Sequence, residues 1–240
     1  MSKRSNVPNG TADKKSDEVV DKQTHLLTTQ DPGHFSLVRA YHLADLITLM
    51  NGFCGVNSII SSLRYCLNPD PASNRAAIYA ALAFIPLGLF FDFFDGKVAR
   101  WRNKSSMMGA ELDSLADLIS FGVSPAVAAF AIGLRTPIDQ FLLTLFVLAG
   151  LARLARFNVT AGSIPHDASG KAKYFEGLPI PTSLSIVSLM AYWVRSGSVL
   201  DHIPGGVIAE GTIFAFHPIC ALFIAHGCCM ISRTLHVPKP

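Results

Sequence analysis

The sequence predicts an all-α polytopic membrane protein with about six transmembrane helices, on three observations. Half of the 240 residues are hydrophobic and only 15% are charged, against about 25% in ordinary soluble domains. The mean hydropathy is +0.37. Six apolar stretches, 42–63, 76–98, 111–133, 137–158, 180–197 and 212–232, approach the ~20 residues that a helix needs to cross the hydrocarbon core. The pattern excludes a soluble domain with a large core, and no nucleic-acid partner is expected.

Ahead of the first stretch, residues 1–33 are polar, with Pro8-Asn9-Gly10, Lys14-Lys15 and Asp31-Pro32-Gly33. Such a segment buries too little apolar surface to fold alone, and no cleavable signal is visible. It reads as a disordered cytosolic tail. Residues 34–41 suit a short interfacial helix leading into the first span. The transmembrane domain is expected over 34–235, with 236–240 as a C-terminal tail. Its loops are 64–75, 99–110, 134–136, 159–179 and 198–211. Pro179 and Pro181 predict an extended entry into the fifth span. Cys54, Cys66, Cys220, Cys228 and Cys229 follow no zinc spacing, and with His217 and His226 they read as packing residues. His166, in the loop before the fifth span, reads as solvated.

Positive charge orients the bundle. With the N-terminus inside, sixteen Lys and Arg fall on the inner side, and only Arg64, Arg75, Arg135 and Arg195 fall outside. The loop around 97–104 and the region 153–173 then face the cytosol.

Four aspartates interrupt the second and third apolar stretches: Asp92, Asp95, Asp113 and Asp117. A carboxylate at bilayer depth costs at least ~2.5 kcal/mol, so four need a strong partner. Asp92 and Asp95 are i,i+3 on one helix, and Asp113 and Asp117 are i,i+4 on the next, so each pair projects from one face. Two antiparallel helices bring the pairs together as a four-carboxylate, all-oxygen cage suited to Mg²⁺ or Mn²⁺. Two ions would fit phosphoryl transfer, in which attacking and leaving oxygens are both clamped. Asp92, Asp95 and Asp113 are the expected metal ligands. Asp117 is the expected general base and also a candidate metal ligand. Arg100 and Arg102 are too few to neutralise these groups together with Glu111. An ion pathway is the competing use of intramembrane acids.

The full pattern Asp92-x2-Asp95-Gly96-x2-Ala99-Arg100-x8-Gly109-x3-Asp113-x3-Asp117 resembles the signature of the CDP-alcohol phosphatidyltransferases over its whole length. The resemblance covers about residues 37–185. It implies that family's fold, a metal-dependent transfer from a CDP-linked lipid, and a homodimer. It gives the same roles to the aspartates and places Gly96, Ala99, Arg100 and Gly109 at the CDP site. Physical reasoning concurs: small residues admit a nucleotide to the helix backbone, and an arginine grips phosphate with two donors. Asn51, in Leu46-Ile-Thr48-Leu-Met-Asn51-Gly52, is a further candidate for the nucleotide, an interhelical hydrogen bond being its alternative. Lys97, Arg102 and Lys104 read as topology signals.

Further segments resemble the phosphatidylserine synthases. Asp117 is followed by Leu118-Ile119-Ser120-Phe121-Gly122, and the fourth span carries Gly150-Leu-Ala-Arg153-Leu-Ala-Arg156-Phe157-Asn158. Gly177-Leu178-Pro179-Ile180-Pro181 is similar as well. The resemblance implies CDP-diacylglycerol and L-serine as substrates. The long polar tail before the first span resembles a eukaryotic enzyme of the endoplasmic reticulum, and the charge bias turns the site toward the cytosol. Arg153 and Arg156, i,i+3 on one face, are candidates for the serine carboxylate or a lipid phosphate, with Phe157 beside them. Glu111 or Glu176 would meet the ammonium. Inositol and glycerol 3-phosphate remain alternative acceptors. Ser105, Ser106 and Ser114 lie near the carboxylates without a histidine nearby in sequence to activate them, so direct attack by the acceptor is expected.

Overall fold

The computed structural model describes residues 43–67, 74–101, 107–160 and 174–238. The tail 1–33, the segment 34–41, Arg102, Lys104, Ser105, Ser106 and His166 lie outside the described residues. Among the described residues, four helices are long and apolar enough to cross a membrane. They are α1 (Leu43–Leu67), α2 (Arg75–Trp101), a third span made of α3 (Met107–Asp117) continuing into α4 (Ser124–Ile132), and α5 (Pro137–Thr160).

These helices invert the soluble pattern. Leu46, Leu49, Phe53, Ile60 and Leu63 of α1 point outward, where acyl chains accommodate them at no cost. The same helix buries Asp45, Thr48, Asn51, Ser58 and Ser62. That polar stripe faces the neighbouring spans, where polar groups find partners. Ser58 Oγ donates to Ala81 O of α2 at 2.7 Å, joining the two helices.

Between α3 and α4 the chain forms a π-helical turn, Leu118–Val123, directly after Asp117. Pro125 accounts for it: its ring would collide with the carbonyl four residues back in a regular helix. The wider turn lets Ser124 N–H reach Ile119 O, five residues back. Turns of this kind concentrate at functional sites. Gly55 of α1 makes room for it. A Cβ at Gly55 would lie 2.7 Å from Ser120 Oγ and 3.0 Å from Ser120 Cα.

The fifth stretch starts as expected, with Pro179 extended at φ −60°, ψ 141°. A 3-10 turn, Ile180–Ser183, then runs into α6 (Leu184–Ser196). The sixth stretch differs from the expected span over 212–232. Only α7, Cys220–Ile231, is helical, at 12 residues, or roughly 18 Å against the ~30 Å of a hydrocarbon core. Gly211 adopts φ +79°, and Pro218 stands just ahead of the helix. Between them the chain closes a loop through Ile208 N–H to Phe216 O at 2.9 Å and Phe216 N–H to Ile208 O at 3.1 Å.

Asp139 anchors that loop. It is fully buried and takes His217 N–H at 2.9 Å and His217 Nδ1 at 2.6 Å. It also exchanges bonds with Thr136, accepting Thr136 N–H at 3.2 Å while its own N–H reaches Thr136 Oγ1 at 3.1 Å. This reciprocal cap starts α5. α7 packs along α5, with Phe146 and Phe223 edge to face at 5.3 Å.

The C-terminal residues are not wholly a tail. Strand β2 (His236–Pro238) pairs antiparallel with β1 (Tyr174–Glu176), Phe175 opposite Val237. Gly177 N–H to Leu235 O at 2.8 Å and Leu178 N–H to Cys229 O at 3.1 Å extend the seam. Three-residue strands carry no readable alternation, so neither the 159–179 loop nor the 236–240 tail announces this pairing.

Candidate active site and metal centre

α2 and α3 meet where their aspartates lie. Asp92, Asp95 and Asp113 each present an oxygen, all within 4.8 Å of one another. Asp95 and Asp117 are buried, and Asp117 sits beside Asp92. Two residues of α1 reach into the group. Thr48 Oγ1 donates to Asp95 Oδ2 at 2.6 Å, and Asn51 Nδ2 donates to Asp117 Oδ1 at 3.0 Å. Asp113 Oδ1 is buried with no hydrogen-bond partner among the described residues.

This donor set fits a hard divalent cation. It is all oxygen, it concentrates negative charge, and one buried carboxylate oxygen stands unsatisfied, which costs about 1–3 kcal/mol or more if nothing meets it. A cation on Asp92, Asp95 and Asp113 would remove that cost.

Around the cluster the other expected residues take distinct places. At Gly96 an added Cβ would meet nothing within 4 Å among the described residues, so among them this glycine faces open space rather than a packed helix. Ala99 and Arg100 follow on the last turns of α2, with side chains outside the described residues. Gly109 is on the first turns of α3 and half-buried. Asn51 is fully buried, between helices.

The two arginines of α5 diverge. Arg153 is buried, 5.6 Å from the Phe157 ring centroid and near enough to Asp117 to feel its charge. Arg156 Nη1 donates to Ile231 O at 2.9 Å, with Nη2 3.5 Å from Met230 O. It thereby holds the carbonyl end of α7, a capping task that its i,i+3 spacing does not reveal. Glu111 is linked to α5 through Asn158, whose Nδ2 donates to Glu111 Oε2 at 3.2 Å. Ser114 Oγ donates to Asn158 Oδ1 at 3.0 Å, so this hydroxyl is committed to the helix interface.

Two participants escaped the motif: Thr48 as the partner of Asp95, and Asp45, buried one turn earlier and near enough to Asp95 for the charges to repel. A signal existed. Asp45, Thr48 and Asn51 repeat every three residues within an otherwise apolar span, and polar residues in a span face the interior.

A model of the CDP-alcohol phosphatidyltransferase family matches residues 41–223. The chain belongs to that family. The match takes in all four long spans and ends inside α7. This CDP-alcohol phosphatidyltransferase is therefore an enzyme of the membrane, a transferase whose apolar helices make it an integral protein. It is 56% identical over 213 residues to the CDP-diacylglycerol–serine O-phosphatidyltransferase of Saccharomyces cerevisiae, covering 88% of this chain and 76% of that one. It is 38% identical over 138 residues to the Bacillus subtilis protein of the same name, 57% of this chain and 67% of that one. Similarity to the archaetidylserine synthase of Methanothermobacter thermautotrophicus is 36% over 149 residues, covering 61% and 56%.

Proposed function

We propose that this CDP-alcohol phosphatidyltransferase moves the phosphatidyl group of CDP-diacylglycerol onto L-serine, yielding phosphatidylserine and CMP. The observation that carries the chemistry is the gathering of Asp92, Asp95 and Asp113 around one point, with Asp117 beside them. The acceptor is supported by 56% identity to the yeast serine enzyme over most of the chain.

Asp92, Asp95 and Asp113, with Asp117 adjoining, would hold Mg²⁺ or Mn²⁺, one ion or a pair, which would supply charge neutralisation during the transfer. The residues do the rest. Open space at Gly96 admits the nucleotide to α2, with Ala99, Arg100 and Gly109 completing its site. Arg153 holds the serine carboxylate, with Phe157 against its guanidinium. Glu111 takes the ammonium, its position fixed by Asn158. Asp117 accepts the serine hydroxyl proton. The serine oxygen bonds to the phosphorus that carries diacylglycerol, the bond from that phosphorus to the CMP phosphate oxygen breaks, and CMP leaves with the electron pair. A single in-line displacement inverts the phosphorus, so product analysis with chiral phosphorus is expected to show inversion. Net retention would require a phosphatidyl-enzyme.

The charge asymmetry supports a site on the cytosolic side, the long polar tail before the first span supports the endoplasmic reticulum membrane, and the family resemblance supports a homodimer. Acceptor competition tests the reading. Serine, but neither inositol nor glycerol 3-phosphate, is expected to drive CMP release. Release driven by inositol would keep the metal centre and overturn the role of Arg153.

A further inference from the structure

We propose that Asn51 is a positioning residue for Asp117, and that Gly88 exists to leave room for it. The inference rests on the reading of Asp117 as the base. Asn51 is fully buried, so its side chain faces protein rather than an open nucleotide site. Its Nδ2 donates to Asp117 Oδ1 at 3.0 Å. Nδ2 is the only end of the amide that can do so, since Oδ1 would face the carboxylate as one acceptor against another.

Two neighbours set the position of Asn51. Ser120 Oγ donates to Asn51 O at 2.9 Å, tying the α1 backbone to the π turn that follows Asp117. On the other side lies Gly88 of α2, one turn before Asp92. A Cβ there would stand 2.9 Å from Asn51 Oδ1. Oδ1 itself is buried without a hydrogen-bond partner among the described residues, which costs free energy. That cost is accepted where Nδ2 is needed on Asp117. The amide is held between a glycine surface and a carboxylate, and the orientation of the Asp117 carboxylate is thereby set.

The arrangement restricts how Asn51 acts. It contacts the base and is closed off from the surface, so its loss is expected to lower kcat and to leave the KM for CDP-diacylglycerol in place. Asn51→Leu, with the same branching but without the donor, is expected to lower kcat about 100-fold, the scale of a misplaced catalytic group. Gly88→Ala pushes the amide aside and is expected to lower kcat about tenfold by the same route. In an Asn51→Ala background, which removes the obstructed oxygen, Gly88→Ala is expected to cost nothing further, because contacting residues are non-additive.

The experiment is steady-state kinetics of purified full-length protein with CDP-diacylglycerol and serine, for these variants beside Asp117→Asn. A fall in kcat at constant KM, with Gly88→Ala silent in the Asn51→Ala background, supports the proposal. A raised KM with intact kcat assigns Asn51 to the nucleotide and overturns it. So does an additive Gly88→Ala effect. If Gly88→Ala does not accumulate in the membrane, the kcat and KM of Asn51→Leu decide alone. An active Asp117→Asn sinks the base reading, whereas an inactive Asp117→Asn beside a fully active Asn51→Leu sinks only this inference.

Discussion

Thr48 Oγ1 stands 2.6 Å from Asp95 Oδ2, so a hydroxyl on the first span orients a carboxylate on the second. The hydroxyl also lies 3.2 Å from Ala44 O, within its own helix. Partners behind a metal-binding carboxylate commonly carry 10- to 100-fold in metal affinity or activity, so Thr48→Val is expected to raise the Mg²⁺ or Mn²⁺ concentration for half-maximal CMP release by about tenfold or more. Thr48→Ser keeps the donor and is expected to stay near the parent. A metal titration of both variants checks this.

Arg153 and Arg156 share a sequence pattern but not their surroundings: Arg153 is buried near Asp117, and Arg156 holds carbonyls at the end of α7. Arg153→Ala is expected to raise the serine KM about tenfold or more, since a charge-assisted hydrogen bond is worth roughly 1.5–3 kcal/mol, with less effect on the KM for CDP-diacylglycerol. Arg156→Ala frees the carbonyl end of α7 at Met230 and Ile231. Its expected signature is a lower thermal midpoint in detergent, with serine KM little changed. Kinetics and thermal unfolding of the two variants separate the roles.

Asp139 sits in the opposite end of the fold from the aspartate cluster, at the start of α5. Asp139→Ala strands His217, Thr136 N–H and the Cys220 thiol, which lies 3.3 Å from Asp139 Oδ1. About 1–3 kcal/mol for each buried group left unpaired is expected. The variant should unfold at lower temperature while the surviving folded protein keeps the parent KM values. Thermal inactivation followed by kinetics on the folded fraction measures both.

Much of this was legible in the sequence because the bilayer is a strict solvent. Long apolar runs mark the four spans, and carboxylates within them had to converge, so Asp92, Asp95 and Asp113 could be grouped before any coordinates. The shortness of α7 was not legible, because hydropathy counts the apolar residues of 212–219 without registering that Asp139 pulls His217 out of a helix. The β1–β2 pair joins segments about sixty residues apart through three residues each, too few for a periodic signal. The π turn was half legible: Pro125 forecasts a disturbance, but its form depends on Ser124, Ser120 and Gly55 meeting across two spans. Thr48 was present as a polar step, yet its partner lies 47 residues away and only packing selects it.

The most direct test of the central claim is CMP release from CDP-diacylglycerol by the purified protein, with and without L-serine and divalent metal, beside Asp113→Asn. The account predicts release that needs both serine and metal, is lost on chelation, returns on adding Mg²⁺ or Mn²⁺, and is at least about 100-fold lower in the variant. Serine-dependent release that survives chelation, or that persists in Asp113→Asn, would contradict it.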